Sequence, residues 1–283
     1  MAKFVPDVKT QRWIVVAPWR LVRPDEHKGK DKKPECPFCC GNEHLTPPEI
    51  MRVGEGYKDC QGWQIRVVPN KFPITDIHEV IIHSPDHVHD IEDLELTQVS
   101  AILTAYRSRY QAHINDGQVL IFCNHGEHAG ASLDHPHSQL VVIPRQISLD
   151  ALVREPVLNV VDDNNFFITY CPEFSQWPYE VWITPKKEGT IYAENSDEEM
   201  KDLAVILQRT LKRLNIKYLQ PETTKIHSTT PFAYNFYIHH AKDWFIRIIP
   251  RLVHRAGFEL GTGLNVNVID PTEAAEELKK ITV

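Results

Sequence analysis

The segment Ser132-Leu-Asp-His-Pro-His-Ser-Gln139 carries the most informative pattern in this chain. It runs into apolar residues up to Ile143, which predict a strand. Because strand side chains alternate between two faces, His135, His137 and Gln139 are expected on one face. Two imidazoles beside an amide suit phosphoryl transfer, in which a histidine attacks phosphorus and the amide holds charged oxygens. A metal site or a plain surface is the alternative interpretation.

A glycine-containing loop precedes these histidines, in Asn124-His-Gly126-Glu-His-Ala-Gly130-Ala-Ser132. Glycine lets backbone N–H groups approach a phosphate closely. The sixteen residues from Asn124 to Gln139 together resemble the active-site motif of galactose-1-phosphate uridylyltransferases. Those enzymes are nucleotidyltransferases of the histidine-triad superfamily, and the match at many positions predicts membership of that family.

The expected nucleophile is His137, since a neutral imidazole is a good nucleophile near pH 7. It would attack the α-phosphorus of a nucleoside diphosphate sugar and form a covalent nucleotidyl-histidine. Gln139 would donate to a nonbridging phosphoryl oxygen. The resemblance implies that substrate is bound by Arg20, Arg23, Asn70, Asn124, Gly130, Ala131, Ser132 and Glu259. A solvated loop for the arginines, an ordinary turn residue for Asn124 and a structural carboxylate for Glu259 stay open as alternatives.

The pair Cys36-Pro-Phe-Cys39 supplies half of a tetrahedral zinc site. The resemblance implies that Ser84-Pro-Asp-His87 and the first histidine of the His-Pro-His sequence provide the other ligands. The prediction is one structural zinc ion held by Cys36, Cys39, His87 and His135. Cys40 and His44 stand at plausible spacing to replace a ligand, and free thiols in a loop are the alternative.

The composition excludes several classes of protein. The chain has 283 residues with 42% hydrophobic and 24% charged residues, as expected for a globular protein. A net charge of −7 argues against nucleic-acid binding. Apolar runs fall short of the roughly 18 residues of a membrane span, and the N-terminus does not read as a signal peptide. Six irregularly spaced cysteines predict reduced thiols and a cytoplasmic location.

The order strand, helix, strand, strand occurs twice along the chain. In the first half it comprises Trp63–Pro69, a helix through Leu96 and Tyr110, Val119–Cys123 and His137–Ile143. In the second half it comprises Tyr179–Pro185, a helix that starts with the capping box at Ser196 and Glu199, Tyr234–Ile238 and 244–250. A last helix is predicted from Asp270 to about Ile281.

This pattern predicts an α+β fold of two similar halves, each a mostly antiparallel sheet packed with helices. The resemblance implies two fused histidine-triad-like modules, a catalytic one with the zinc site at 1–150 and a degenerate one at 151–283. Phe245-Ile-Arg247 stands in the second half where the first has His135-Pro-His137.

The expected activity is transfer of a nucleoside monophosphate between hexose 1-phosphates, as in UDP-glucose:hexose-1-phosphate uridylyltransferase. Many uridylyltransferases have Asn-Asp-Phe where this chain has Asn70-Lys-Phe72, so an ADP-sugar phosphorylase or adenylyltransferase is an alternative. A nucleotide hydrolase or a non-catalytic nucleotide-binding protein is a further one. The expected partners are a nucleoside diphosphate sugar, a hexose 1-phosphate and a second copy of the chain in a homodimer, with no nucleic acid and no membrane.

Overall fold

A computed structural model describes residues 2–7, 12–23, 27, 35–149, 152–226 and 231–283. The strands are β1 (Lys3–Asp7), β2 (Arg12–Val16), β3 (Met51–Gly54), β4 (Trp63–Pro69), β5 (His78–Ile82), β6 (Gln118–His125), β7 (His137–Ile143), β8 (Val160–Asp163), β9 (Phe167–Tyr170), β10 (Val181–Pro185), β11 (Tyr234–Ile238) and β12 (Ile246–Pro250). The α-helices are α1 (Leu96–His113), α2 (Asp197–Tyr218), α3 (Gly257–Thr262) and α4 (Pro271–Lys279).

Within the described residues, ten strands form one antiparallel sheet in the order β3-β4-β5-β7-β6-β11-β12-β10-β9-β8, and β1 pairs with β2 separately. Strands β6 and β11 join the halves, with Tyr234 opposite His125 and Ile238 opposite Ile121. The predicted α+β class is therefore confirmed, with the two expected sheets joined edge to edge. This pairing covers one edge strand of each half, which would otherwise present unpaired backbone groups.

The strand order repeats across this seam. The first half has the order β3-β4-β5-β7-β6. Adding five to each number gives β8-β9-β10-β12-β11, which is the order of the second half read backwards. The repeat supports our proposed division into modules at 1–150 and 151–283. The boundary itself, at residues 150 and 151, lies outside the described residues.

Helices α1 and α2 pack against each other over one face of the sheet. Both bury apolar residues in a core shared with β4, β6, β7 and β11, including Leu103 and Leu207. The predicted capping box begins α2, because Ser196 accepts from the Glu199 amide and Glu199 accepts from the Ser196 amide. None of the helices in the described ranges combines the length and apolar character that a membrane span requires.

Strand β7 shows how the sheet presents two different faces. Ser138 and Leu140 point towards the helices, where Ser138 contacts Tyr106 of α1 and Leu140 joins the core. His137 and Gln139 therefore lie on the face of the sheet opposite to helices α1 and α2.

Candidate active site

The imidazole of His137 stands at the start of β7, and its orientation is set within its own motif. Its Nδ1–H donates to the backbone carbonyl of His135 at 2.8 Å, which leaves the lone pair on Nε2. The Phe38 ring packs against it with ring centroids 5.2 Å apart. Burial lowers the pKa of His137 to about 4, so the ring is neutral at pH 7. A neutral imidazole with a free nitrogen is the form that can attack phosphorus.

Gln139 lies two residues further along the same face and is 8% exposed. In the strand register it stands opposite Val80 on β5 and Phe122 on β6. Its Oε1 lies 2.9 Å from Nε2 of His78, a residue that sequence reasoning did not single out. Its side-chain NH₂ group has no protein partner among the described residues and is available to a ligand.

A cavity of about 280 Å³ opens beside these two side chains. Eight of the predicted site residues line it: Arg23, Asn70, Asn124, Gly130, Ala131, Ser132, His137 and Gln139. Apolar residues that were not predicted as site residues form much of its wall, namely Phe38, Leu45, Pro47, Val68, Phe72, Val80 and Leu133. Mostly apolar walls with a few convergent polar groups are typical of small-molecule sites.

The glycine loop shapes one wall of this cavity. Gly130 has φ +80°, which favours glycine, and a Cβ built there meets no atom within 4 Å. The Gly130 N–H donates to the Glu127 carbonyl at 2.8 Å, and the Ala131 N–H to the Gly126 carbonyl at 3.2 Å. These two amides close the loop itself. Their predicted role in phosphate binding therefore rests on the open space beside Gly130 and on the neighbouring Ser132.

Asn124 is held by a residue from the other half of the chain. Its Oδ1 accepts from Nδ2 of Asn235 on β11 at 2.8 Å, and the same Nδ2 donates to the Ala129 carbonyl at 2.8 Å. Because its oxygen is occupied, Asn124 offers its NH₂ group to the cavity. Asn235 was not predicted, since its role depends on the β6–β11 seam.

Of the predicted charged residues Arg20, Arg23 and Glu259, only Arg23 lines the cavity. The Arg20 guanidinium instead donates to the backbone carbonyl of Phe72, a residue that lines the cavity. Glu259 lies half-buried in the first turn of α3, where it accepts from the Ala256 amide at 2.9 Å. It is not among the residues lining the cavity of its own chain. Substrate contacts for Arg20 and Glu259 stay predictions.

The structure brings Cys36, Cys39, His87 and His135 together, with their ligand atoms all within 4.8 Å of one another. The Sγ of Cys39 lies 3.2 Å from Nδ1 of His87 and 3.7 Å from Nδ1 of His135. Ligands of a tetrahedral zinc ion lie roughly 3.4 to 3.8 Å apart, so a small contraction would close the site. These four residues are able to hold a metal ion.

The surroundings of this cluster fit a metal as well. His135 donates from Nε2 to the Ser84 carbonyl at 2.9 Å, which directs its unprotonated Nδ1 towards the cluster. Cys40 is exposed and, like His44, is not part of the group. The cluster spans the N-terminal loop, the segment after β5 and the residue two before His137.

A buried polar network anchors β7 from the helix side. Ser138 Oγ lies 2.5 Å from the Tyr106 hydroxyl and 2.9 Å from Nε2 of His83. The Nδ1 of His83 lies 3.0 Å from the Asp90 carboxylate, and all these groups are buried. Because Ser138 sits between His137 and Gln139, this network restrains the strand that carries both.

Comparison with known proteins shows which family this chain resembles. A family model described as galactose-1-phosphate uridyl transferase, N-terminal domain, matches residues 75–142, which include β5, β6 and all but the last residue of β7. The chain is 24% identical to a galactose-1-phosphate uridylyltransferase from Thermotoga maritima over 97% of this chain and 96% of the relative. The chain is therefore similar to the galactose-1-phosphate uridylyltransferase family, as the motif predicted. These relatives are enzymes of a nucleotidyltransferase family, which is the class of enzyme that the motif predicted.

The substrate differs between the relatives that this chain resembles. An ADP-glucose phosphorylase from Arabidopsis thaliana is 27% identical to this chain over 98% of its length and 92% of the relative. The crystal structure of an ADP-glucose phosphorylase from that plant with bound ADP-glucose superimposes with a TM-score of 0.74 and 25% identity, covering 100% of both chains. The Arabidopsis and Thermotoga relatives thus differ in their named activity, one on ADP-glucose and the other on galactose 1-phosphate.

Proposed function

We propose that this protein transfers a nucleoside monophosphate from a nucleoside diphosphate sugar to an acceptor through a covalent nucleotidyl-histidine at His137. The observation that carries the proposal is the hydrogen bond from His137 Nδ1 to the His135 carbonyl. It leaves Nε2 as the nucleophilic atom beside a cavity that also contains the Gln139 amide. A nucleophile and a donor on one strand face match what in-line displacement at phosphorus requires.

The reaction proceeds in two displacements. In the first, Nε2 of His137 forms a bond to the α-phosphorus, the bond from that phosphorus to the bridging oxygen breaks, and sugar 1-phosphate leaves. In the second, an oxygen of the acceptor attacks the same phosphorus and the histidine leaves as neutral imidazole. With phosphate as the acceptor, the product is the nucleoside diphosphate. Sugar 1-phosphate is a good leaving group, so no strong general acid is required.

Gln139 and Arg23 supply the electrostatic stabilisation of the phosphoryl groups. The Gln139 NH₂ group donates to a nonbridging oxygen whose charge grows as the histidine attacks, a contact worth about 3 kcal/mol for one donor. Arg23 lines the same cavity and would neutralise the diphosphate. Ser132 and Asn124 add neutral donors on the side of the glycine loop.

We also propose that Cys36, Cys39, His87 and His135 hold zinc. Four protein ligands leave no open coordination position, so the ion would supply structure and no chemistry at the α-phosphorus. It would tie the N-terminal loop to β7, two residues from the nucleophile. The metal would then fix His135, whose backbone carbonyl accepts the hydrogen bond from Nδ1 of His137.

ADP-glucose with phosphate as the acceptor is the first substrate pair that we propose. The similarity to the Arabidopsis ADP-glucose phosphorylase over nearly the whole chain supports it. UDP-glucose with a hexose 1-phosphate as the acceptor is the second, supported by the family model over residues 75–142 and by the Thermotoga uridylyltransferase. Both use the same nucleophile and differ in the base and the acceptor.

The proposal is tested by the mass of the intact protein after brief incubation with ADP-glucose or UDP-glucose without an acceptor. We expect an adenylyl or uridylyl adduct that identifies the donor and is absent in His137→Gly. Adding phosphate should convert an adenylyl adduct to ADP, and adding galactose 1-phosphate should convert a uridylyl adduct to UDP-galactose. Release of nucleoside monophosphate without any acceptor would instead indicate a hydrolase.

The homodimer implied by the resemblance stays part of the proposal. Glu259 and the exposed Phe258 lie on α3 and do not line the cavity of their own chain. In a dimer this segment would be free to reach a partner's cavity. Light scattering coupled to gel filtration gives the oligomeric state, and a monomer at enzyme-assay concentration would contradict the dimer.

A further inference from the structure

His78 is a buried histidine outside the motif, at the first position of β5 and 4% exposed. The backbone N–H of Ile74 donates to its Nδ1 at 2.9 Å. That nitrogen must therefore be unprotonated. Burial lowers the pKa of His78 to about 4, so the ring is neutral and its single proton lies on Nε2.

Two side chains lie within hydrogen-bond distance of this Nε2. They are Oε1 of Gln139 at 2.9 Å and Nδ2 of Asn70 at 3.1 Å. The Oδ1 of Asn70 accepts from the Phe72 amide at 2.8 Å, which fixes the Asn70 side chain with its NH₂ group towards His78. An NH₂ group does not accept a proton. The Nε2–H of His78 therefore donates to Gln139.

We propose that His78 is a positioning residue that selects the orientation of the Gln139 amide. With Oε1 of Gln139 accepting from His78, its NH₂ group is turned towards the cavity and the α-phosphoryl group. The reverse orientation would place the carbonyl oxygen against anionic phosphoryl oxygens. The inference rests on the proposed function, because it assigns a purpose to the Gln139 donor in that reaction.

The chain of contacts reaches the site from a fixed backbone. Ile74 lies in the loop before β5, and its N–H sets the tautomer of His78, which sets the amide of Gln139. His78 and Gln139 are diagonal neighbours across β5 and β7, since Gln139 pairs with Val80. None of the groups in this series of hydrogen bonds carries a charge, so the orientation of the Gln139 amide persists across the neutral pH range.

The test compares His78→Phe, which removes the donor, with His78→Gln, whose amide is able to donate to Gln139. The substrate is a donor with sulfur in place of one nonbridging α-oxygen, used as its two separate diastereomers. The measurement is the single-turnover rate of adduct formation for each diastereomer. The matched control is Glu79→Gln, on the same strand but facing α1, where Glu79 contacts Arg109 and His113.

We expect the wild-type protein to prefer one diastereomer, because Gln139 contacts one of the two oxygens. Gln139→Ala should lose that preference and slow adduct formation by about 100-fold or more. His78→Phe should lose the preference as well, with a 10- to 100-fold slower rate, and the double variant should be no slower than Gln139→Ala. His78→Gln should restore part of the preference, and Glu79→Gln should keep it.

Retention of the full preference in His78→Phe, or additive losses in the double variant, would overturn the positioning role. A second measurement does not depend on turnover. Nitrogen-15 chemical shifts of His78 in the wild-type protein should show a protonated Nε2, and protonation at Nδ1 would overturn the inference even if no adduct forms. A wild-type protein with the expected tautomer but no adduct would contradict the proposed function alone.

Discussion

Strands β7 and β12 occupy equivalent places in the two halves of the sheet, but their surroundings differ in kind. His137 on β7 keeps Nε2 without a protein partner among the described residues and faces a cavity. Arg247 on β12 is 6% exposed and is bound by the Glu180 carboxylate at 2.7 and 2.9 Å. Trp182 and Phe245 stack beside it with centroids 3.9 Å apart.

The comparison shows that one strand order supports either a reactive site or a filled interior. The guanidinium of Arg247 stays protonated and has no lone pair to offer, so it cannot replace a nucleophilic imidazole. Instead, the buried ion pair of Arg247 with Glu180 occupies the space that a substrate would need. Function therefore lies in the residues placed on the repeated fold and not in the fold itself.

The largest expected effect is on turnover in His137→Gly. Loss of the nucleophile should reduce nucleotide transfer by about 10⁴-fold or more, because the covalent route disappears. Zinc content and melting temperature should stay close to wild type, since the ring packs at the cavity edge. Activity assays, metal analysis and thermal melts check this, and unimpaired turnover would refute the nucleophile assignment.

The next effect concerns the cluster that supports β7 in the first half. Cys39→Ser should lose zinc and lower the melting temperature by roughly 10 °C, because metal binding contributes directly to folding. Cys40→Ser is the matched control and should change neither quantity. Metal analysis together with thermal melts gives the answer. Wild-type zinc content in Cys39→Ser would assign the ligand to Cys40 or His44.

The third prediction breaks the filled site of the second half. Arg247→Met leaves the Glu180 carboxylate buried without its cationic partner and should lower the free energy of unfolding by about 3–5 kcal/mol. Denaturant titration measures this change. Adding Glu180→Gln should recover part of the stability, and adduct formation at His137 should persist in both variants under folding conditions. Loss of the adduct in a folded Arg247→Met protein would show that the halves are coupled in catalysis.

The smallest effect is expected at the seam between the halves. Asn235→Ala removes the NH₂ group that donates hydrogen bonds to Asn124 and to the Ala129 carbonyl. The change should weaken binding of the nucleoside diphosphate sugar by about 1 kcal/mol, or several-fold in Kd. Calorimetric titration of a donor into the His137→Gly background measures it without turnover. An unchanged Kd would mean that the second half does not contribute to binding through this contact.

Much of the fold was predictable where a strand is rich in apolar and aromatic residues. Trp63–Pro69, His137–Ile143 and Tyr234–Ile238 match the predicted strands residue for residue. The helix α2 began at its predicted cap, since the capping box is a local pattern. Strand β5 was missed because it is buried on both faces and shows no alternation. Four more strands, β1, β3, β8 and β9, were also missed, as was the seam that joins the halves.

The site was predictable to the extent that it is local in sequence. The run from Asn124 to Gln139 holds the nucleophile, the amide and the loop, so one pattern identifies them together. His78 and Asn235 were missed because each acts on a motif residue from a strand remote in sequence. The apolar walls were missed because such residues look like ordinary core until the cavity between them is known.

The most direct test is to locate the trapped nucleotide on the chain. After incubation with the donor that forms an adduct, the protein is digested at alkaline pH, where a phosphorus–nitrogen bond to histidine survives, and the peptides are sequenced by tandem mass spectrometry. We predict a nucleoside monophosphate on His137, absent from His137→Gly. An adduct on any other residue, or turnover that proceeds fully in His137→Gly, would contradict the account.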